Sequence, residues 1–258
     1  MNQKSVLYLL LAAVIMITAV FGALRLAGTF SGSDVPDVAM NKTDVEKIVR
    51  NYLIEHPEVL FEALDGMKAK EEGQRMARMR DKAKSQQAQL YQEANPLVAG
   101  NPKGDVTIVE FFDYRCPYCR KVKKDVADLL NQDGNIKLIL KEFPILSPES
   151  ELAAQAAIAS AAQGKYWDFH MAMMGAEDLT EERVFELAKS VGVDIERLKT
   201  DMKSPKVAQR LSETQALARA LGIDATPTFF IGDEPFSGAQ TLKELKDAVA
   251  AARKARPS

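Results

Sequence analysis

The spacing of hydrophobic and polar positions divides this chain into blocks. Lys4 precedes a charge-free apolar run from Ser5 to Leu24, closed by Arg25. About 20 such residues suit a bilayer-spanning helix, and the run exceeds the roughly 7–15 residues of a cleaved signal core. Residues 1–27 are expected to be a signal anchor or a signal peptide, with length favouring the uncleaved anchor. Residues 28–42, with Gly28, Ser31, Gly32, Ser33 and Pro36, read as a linker. Thr43-Asp44-Val45-Glu46 has the spacing of a capping box and predicts a helix start. Val45, Ile48, Val49, Tyr52 and Leu53 form an apolar stripe, His56-Pro57 interrupts it, and Val59, Leu60, Ala63, Leu64 and Met67 resume it. Residues 43–67 either fold back on the main domain or pair with copies of themselves. From 68 to 94 the stripe thins to Met76 and Met79, which predicts a polar helical connector.

From residue 95 onward the periods change. Val106 to Phe112 and Ile136 to Phe143 are apolar runs of strand length. Between them, Val122, Val126, Leu129 and Leu130 give helical spacing over about 117–131. Helical patterns fill 150–163, 166–174, 180–191, 194–202 and 205–221. Thr228 to Ile231 and a segment beginning at Phe236 predict two short strands, and Thr241 caps a final helix. The order β-α-β, helical insert, β-β-α defines an α/β class with the insert at about 148–221.

Composition adds little until the cysteines. The net charge of −2 gives no global pointer to nucleic acid. Cys116 and Cys119 are the chain's two cysteines, and Pro117-Tyr118 lies between them. A strand, then C-x-x-C, then a helix is the arrangement of a dithiol redox site. The helix N-terminus favours a thiolate at Cys116, and Pro117 suits the first helical turn. Zinc is disfavoured, because two cysteines supply half of a four-ligand set and neither His56 nor His170 has ligand-like spacing with them. Arg115, Arg120, Lys121, Lys123 and Lys124 form a basic cluster around the dithiol, expected to favour the thiolate or attract acidic substrates. Trp167 and His170 read as packing residues. Met171, Met173 and Met174 raise Cu(I) binding, although methionines at helical spacing more often line a core.

The segment Val109-Glu110-Phe111-Phe112-Asp113-Tyr114-Arg115-Cys116-Pro117-Tyr118-Cys119 resembles the active-site segment of the DsbA family of thiol–disulfide oxidoreductases. Thr226-Pro227-Thr228 resembles that family's cis-proline loop. Ile48 to Leu53 and His56 to Leu60 are similar to the N-terminal extension of the ScsC subgroup. The resemblance implies a thioredoxin fold over 95–258, with the helical insert inside it. It implies Cys116 as nucleophile, Cys119 as resolving thiol and Glu110 as a buried acid beneath the dithiol. Thr226 and Pro227 would form a loop that packs on the dithiol and binds an extended substrate. No cofactor and no metal are implied. The expected partners are unfolded or wrongly disulfide-bonded exported proteins and a membrane redox protein. Assembly as a homo-oligomer, a trimer, would run through residues 43–67. The expected place is the periplasm or cell envelope, with residues 5–24 in the membrane if uncleaved. An isomerase-like exchange enzyme is the leading reading, and a copper-binding or structural envelope protein is the alternative.

Overall fold

The computed structural model describes residues 41–92 and 96–255. The expected signal anchor over 1–27 and most of the linker lie outside the described residues. Among the described residues no helix is long and apolar enough to cross a membrane.

The chain divides into two units with the boundary between Leu64 and Asp65. In the first, helix α1 spans Lys42–Glu55 and helix α2, Glu58–Ser85, begins. The cap of α1 is Asn41, whose Oδ1 accepts the N–H of Asp44 at 3.0 Å, in place of the expected Thr43. Asn41 also has extended backbone (φ −69°, ψ 161°), which suits an N-cap. No residue of α1 is buried, and Val45, Ile48, Val49, Tyr52, Leu60, Phe61 and Leu64 are exposed.

The second unit is a thioredoxin fold. Its strands are β1 (Leu97–Gly100), β2 (Val106–Phe112), β3 (Ile136–Glu142), β4 (Thr228–Ile231) and β5 (Glu234–Ser237), in the order β1-β3-β2-β4-β5. β2 and β3 run parallel, joined by α4 (Pro117–Gln132), and the other pairs are antiparallel. Strand β1 has too few residues for its period to show in sequence. The insert holds α5 (Pro148–Ser160), α6 (Tyr166–Gly175), α7 (Glu181–Ser190), α8 (Ile195–Met202) and α9 (Pro205–Leu221). The chain ends in α10 (Leu242–Ala255).

Alternation along the strands sends side chains to two cores. Ile108, Phe112, Leu138 and Leu140 meet Cys119, Val122, Val126 and Leu129 of α4, with α5, α6 and α10 on the same side. Val109, Phe111, Ile139 and Phe230 face the opposite layer, and there the polar connector is corrected. Met79 and Ala83 of α2, and Leu90 of α3 (Gln87–Tyr91), are buried against these strands and against Leu217 and Leu221. A few apolar residues suffice because the sheet face they cover supplies the rest of the core.

Candidate active site

Cys116 is the N-cap of α4, with extended backbone (φ −71°, ψ 118°) and Pro117 following it in the first turn. Proline costs nothing there, since that N–H has no helical partner. Buried Cys119, Val122, Val126 and Leu129 seat the helix on the sheet. Cys119 therefore lies inside, under the first turn, while Cys116 caps the helix end.

The structure covers Cys116 to 4% accessibility and Cys119 to 1%. The cover is the Thr226–Pro227 loop. The bond between these two residues is cis, and the Cys116 thiol donates to the Thr226 carbonyl at 3.1 Å. Gly222 turns the chain into this loop from the end of α9. Its left-handed backbone (φ 81°) lets its own N–H and that of Ile223 reach the Ala218 carbonyl, at 2.9 and 2.8 Å.

The two thiols are pushed apart electrostatically. Hydrogen bonding from Cys119 is the main influence lowering Cys116 to about 5, against partial desolvation and with help from Thr226 and the backbone N–H groups of Cys119 and Tyr118. Burial drives Cys119 far above the usual thiol range, with Cys116 and the Glu110 charge adding to it. Glu110, buried on β2, is raised to about 8 by desolvation and then by the Cys116 charge.

The basic cluster does not converge on the sulfur. Arg115 and Arg120 each reach the Glu177 carbonyl, at 3.5 Å, and Lys124 pairs with Asp128. The thiolate is held by hydrogen bonds at a helix end rather than by ion pairs.

Sequence reasoning missed two groups around the site. Asp113, 1% accessible, accepts from the N–H of Arg115 (2.7 Å), Ile145 (2.8 Å) and Leu146 (3.1 Å) and from the Ser150 hydroxyl (2.7 Å). One carboxylate thereby ties the active-site turn to the loop entering α5. Glu142, at the end of β3, accepts from the Tyr114 and Tyr166 hydroxyls at 3.0 and 2.8 Å. Tyr114 also meets Nδ1 of buried His170 at 3.1 Å. Burial raises Glu142 to about 8 against the pull of both hydroxyls and Arg210, and lowers His170 to about 3. Trp167 stacks on His170 with centroids 5.4 Å apart, and Met173 and Met174 are buried in the core. Among the described residues no group of three or more His, Cys, Asp or Glu converges to hold a metal.

Residues 92–251 match the family described as Thioredoxin, and residues 41–74 match the Copper resistance protein ScsC N-terminal domain. A thioredoxin-like oxidoreductase from Silicibacter pomeroyi DSS-3 is 44% identical, covering 66% of this chain and 98% of that one, with a TM-score of 0.64. The thiol-disulfide exchange protein alpha-DsbA2 from Wolbachia pipientis is 31% identical, covering 67% and 95%, with a TM-score of 0.63. The Na(+)/H(+) antiporter NhaA 3 of Salinispora tropica is 28% identical over 158 residues, which are 60% of this chain and 24% of the antiporter. The chain thus spans about a quarter of the length of the curated relatives it matches. The chain belongs to the thioredoxin family, and within it is a DsbA-type, ScsC-like protein.

Proposed function

We propose that this protein exchanges disulfides in exported proteins, with Cys116 as nucleophile and Cys119 as resolving thiol. One observation carries the reading: a thiol at a helix N-terminus, lowered to about 5, lies 3.1 Å from the carbonyl of a cis-proline loop. The Cys116 thiolate attacks a substrate disulfide; one substrate sulfur leaves as thiolate and a mixed disulfide forms. Glu110 then takes the Cys119 proton, and the Cys119 sulfur attacks Cys116. The second substrate sulfur is released, and the protein is left oxidised. The reverse sequence oxidises a substrate dithiol. If a substrate thiol attacks first, Cys116 is returned reduced and the disulfide is isomerised.

Thr226 offers its backbone to an extended chain as an added strand would. Exposed Tyr118, Ile145 and Leu146 supply apolar contacts for an unfolded substrate. Tyr118 brings no positive charge between the cysteines, which argues for a mild oxidant suited to isomerisation. The ScsC-type match over 41–74 and the exposed Ile48, Leu60 and Phe61 support a homo-oligomer, a trimer, through residues 43–67. The periplasm, tethering through residues 5–24 and a membrane redox partner complete the proposal.

A Cys119→Ala variant should accumulate mixed disulfides with exported proteins, and a Cys116→Ser variant should not. Equal trapping in the two variants overturns the assignment. Ile48→Glu with Leu60→Glu should give monomers by light scattering and reduce refolding of scrambled ribonuclease while leaving peptide oxidation intact. A second reading is favoured by the copper-resistance description of the N-terminal match: the dithiol holds Cu(I). Stoichiometric Cu(I) protecting both cysteines from alkylation, without any exchange activity, would select it.

A further inference from the structure

Residues 75–91 fall between the two family matches, which end at 74 and begin at 92. Arg75 opens this segment. Its guanidinium holds Glu72 with two hydrogen bonds of 2.9 Å, Nη1 donates to Asp224 at 3.0 Å, and Nη2 donates to the Ser237 hydroxyl at 2.7 Å. Asp224 stands two residues before Thr226. Ser237 lies opposite Thr228 in the β4–β5 ladder and precedes Gly238, whose N–H donates to the Pro227 carbonyl at 2.8 Å. Arg75 therefore grips the chain on both sides of the Thr226–Pro227 loop. A planar fork with five donors can hold three partners in fixed directions, which a lysine cannot reproduce.

We propose that Arg75 is a positioning residue, acting through Asp224 and Ser237 to hold the Thr226–Pro227 loop over Cys116. The Thr226 carbonyl meets the Cys116 sulfur, so displacement of the loop changes the environment of that sulfur directly. The same displacement moves the backbone edge on which a substrate would lie; this second consequence rests on the exchange reading, whereas the first does not. Elsewhere in α2, Arg80 makes two hydrogen bonds to Glu234, of 2.9 and 3.0 Å, at the β4–β5 turn. It is a similar surface ion pair that does not touch the loop, and so provides the control.

The test compares the full chain with Arg75→Gln, Arg75→Lys, Asp224→Asn and Arg80→Gln. Three quantities are read: the Cys116 thiolate titration by ultraviolet absorbance, KM and kcat for a disulfide-bonded peptide, and thermal stability. Arg75→Gln should move the Cys116 titration by about half a unit or more. It should raise KM about threefold to tenfold while kcat stays within about twofold. Arg75→Lys should fall between wild type and Arg75→Gln, and Asp224→Asn should give the same changes in smaller size. Arg80→Gln should leave titration and KM at wild-type values. Arg75→Gln melting lower with unchanged titration and KM overturns the proposal, because the residue would then serve stability alone. If Arg75→Gln does not fold, Asp224→Asn decides in the same way. A wild-type protein without exchange activity overturns the exchange reading, and the titration still decides the clamp.

Discussion

Glu110 and Glu142 stand on neighbouring parallel strands, with Glu110 opposite Leu140 and Glu142 opposite Phe112. Two positions apart in register, they face the same layer of the sheet. Both are buried and both are raised to about 8. Their neighbours make them different. Glu142 is clamped by two tyrosine hydroxyls, one of which is held by His170. Glu110 is raised by desolvation and then by the Cys116 charge, and in turn raises Cys119. Equal burial thus yields a carboxyl held by hydrogen bonds at one site and a carboxyl coupled by charge to the thiols at the other. The difference lies in hydrogen bonding, since a satisfied buried group rigidifies its surroundings.

The largest effect should separate the two by stability. Glu142→Ala leaves two buried hydroxyls without their acceptor and should cost about 3 kcal/mol or more in chemical denaturation. Exchange activity per folded molecule should stay within about twofold of wild type; a specific loss of activity would erase the distinction. Glu110→Gln should do the converse. Resolution of the mixed disulfide should slow about 100-fold, with stability at neutral pH changed by less than about 1 kcal/mol.

Titration sharpens the comparison. Each carboxyl is raised from 4.5 to about 8 on folding, so its stabilisation is full below 4.5 and is lost as pH rises to 8. His170, lowered from 6.5 to about 3, removes stability only as pH falls below 6.5. Cys116 in the reduced protein, lowered from 9.0 to about 5, adds stability as pH rises from 5 to 9. Between pH 6.5 and 8 the reduced protein should therefore lose stability by about one proton, the two carboxyls less Cys116. Its stability should fall by about 1.4 kcal/mol per pH unit, read from melts of the reduced form. In reduced Glu110→Gln the slope should nearly vanish. If it persists, Glu110 is not the titrating group. The smallest effect is that of Tyr166→Phe, which removes one hydrogen bond to Glu142 and should cost about 1 kcal/mol without changing exchange rates.

The dithiol was legible because its chemistry is local. Cys116, Pro117 and Cys119 follow an apolar run and open a helix, and Thr226-Pro227 precedes a short strand. Glu110 was singled out only by the resemblance of its segment to the DsbA active-site stretch, since alternation along a strand buried on both faces marks no side. Asp113 stood in the same quoted stretch, yet nothing local distinguishes an aspartate in a turn from one that collects Ile145, Leu146 and Ser150. Tyr114, Glu142, Tyr166 and His170 carry no shared spacing at all, since their bonds join residues 24 to 56 positions apart.

The same line divides α2. The sequence by itself determined that 43–67 would be helical with an apolar stripe, because helical period is a property of neighbouring residues. Only the tertiary structure decided that Met79, Ala83 and Leu90 close one face of the sheet, that Arg75 reaches the cis-proline loop, and that this loop covers Cys116. Burial of a side chain depends on what arrives from elsewhere in the chain, and periodicity carries no information about that.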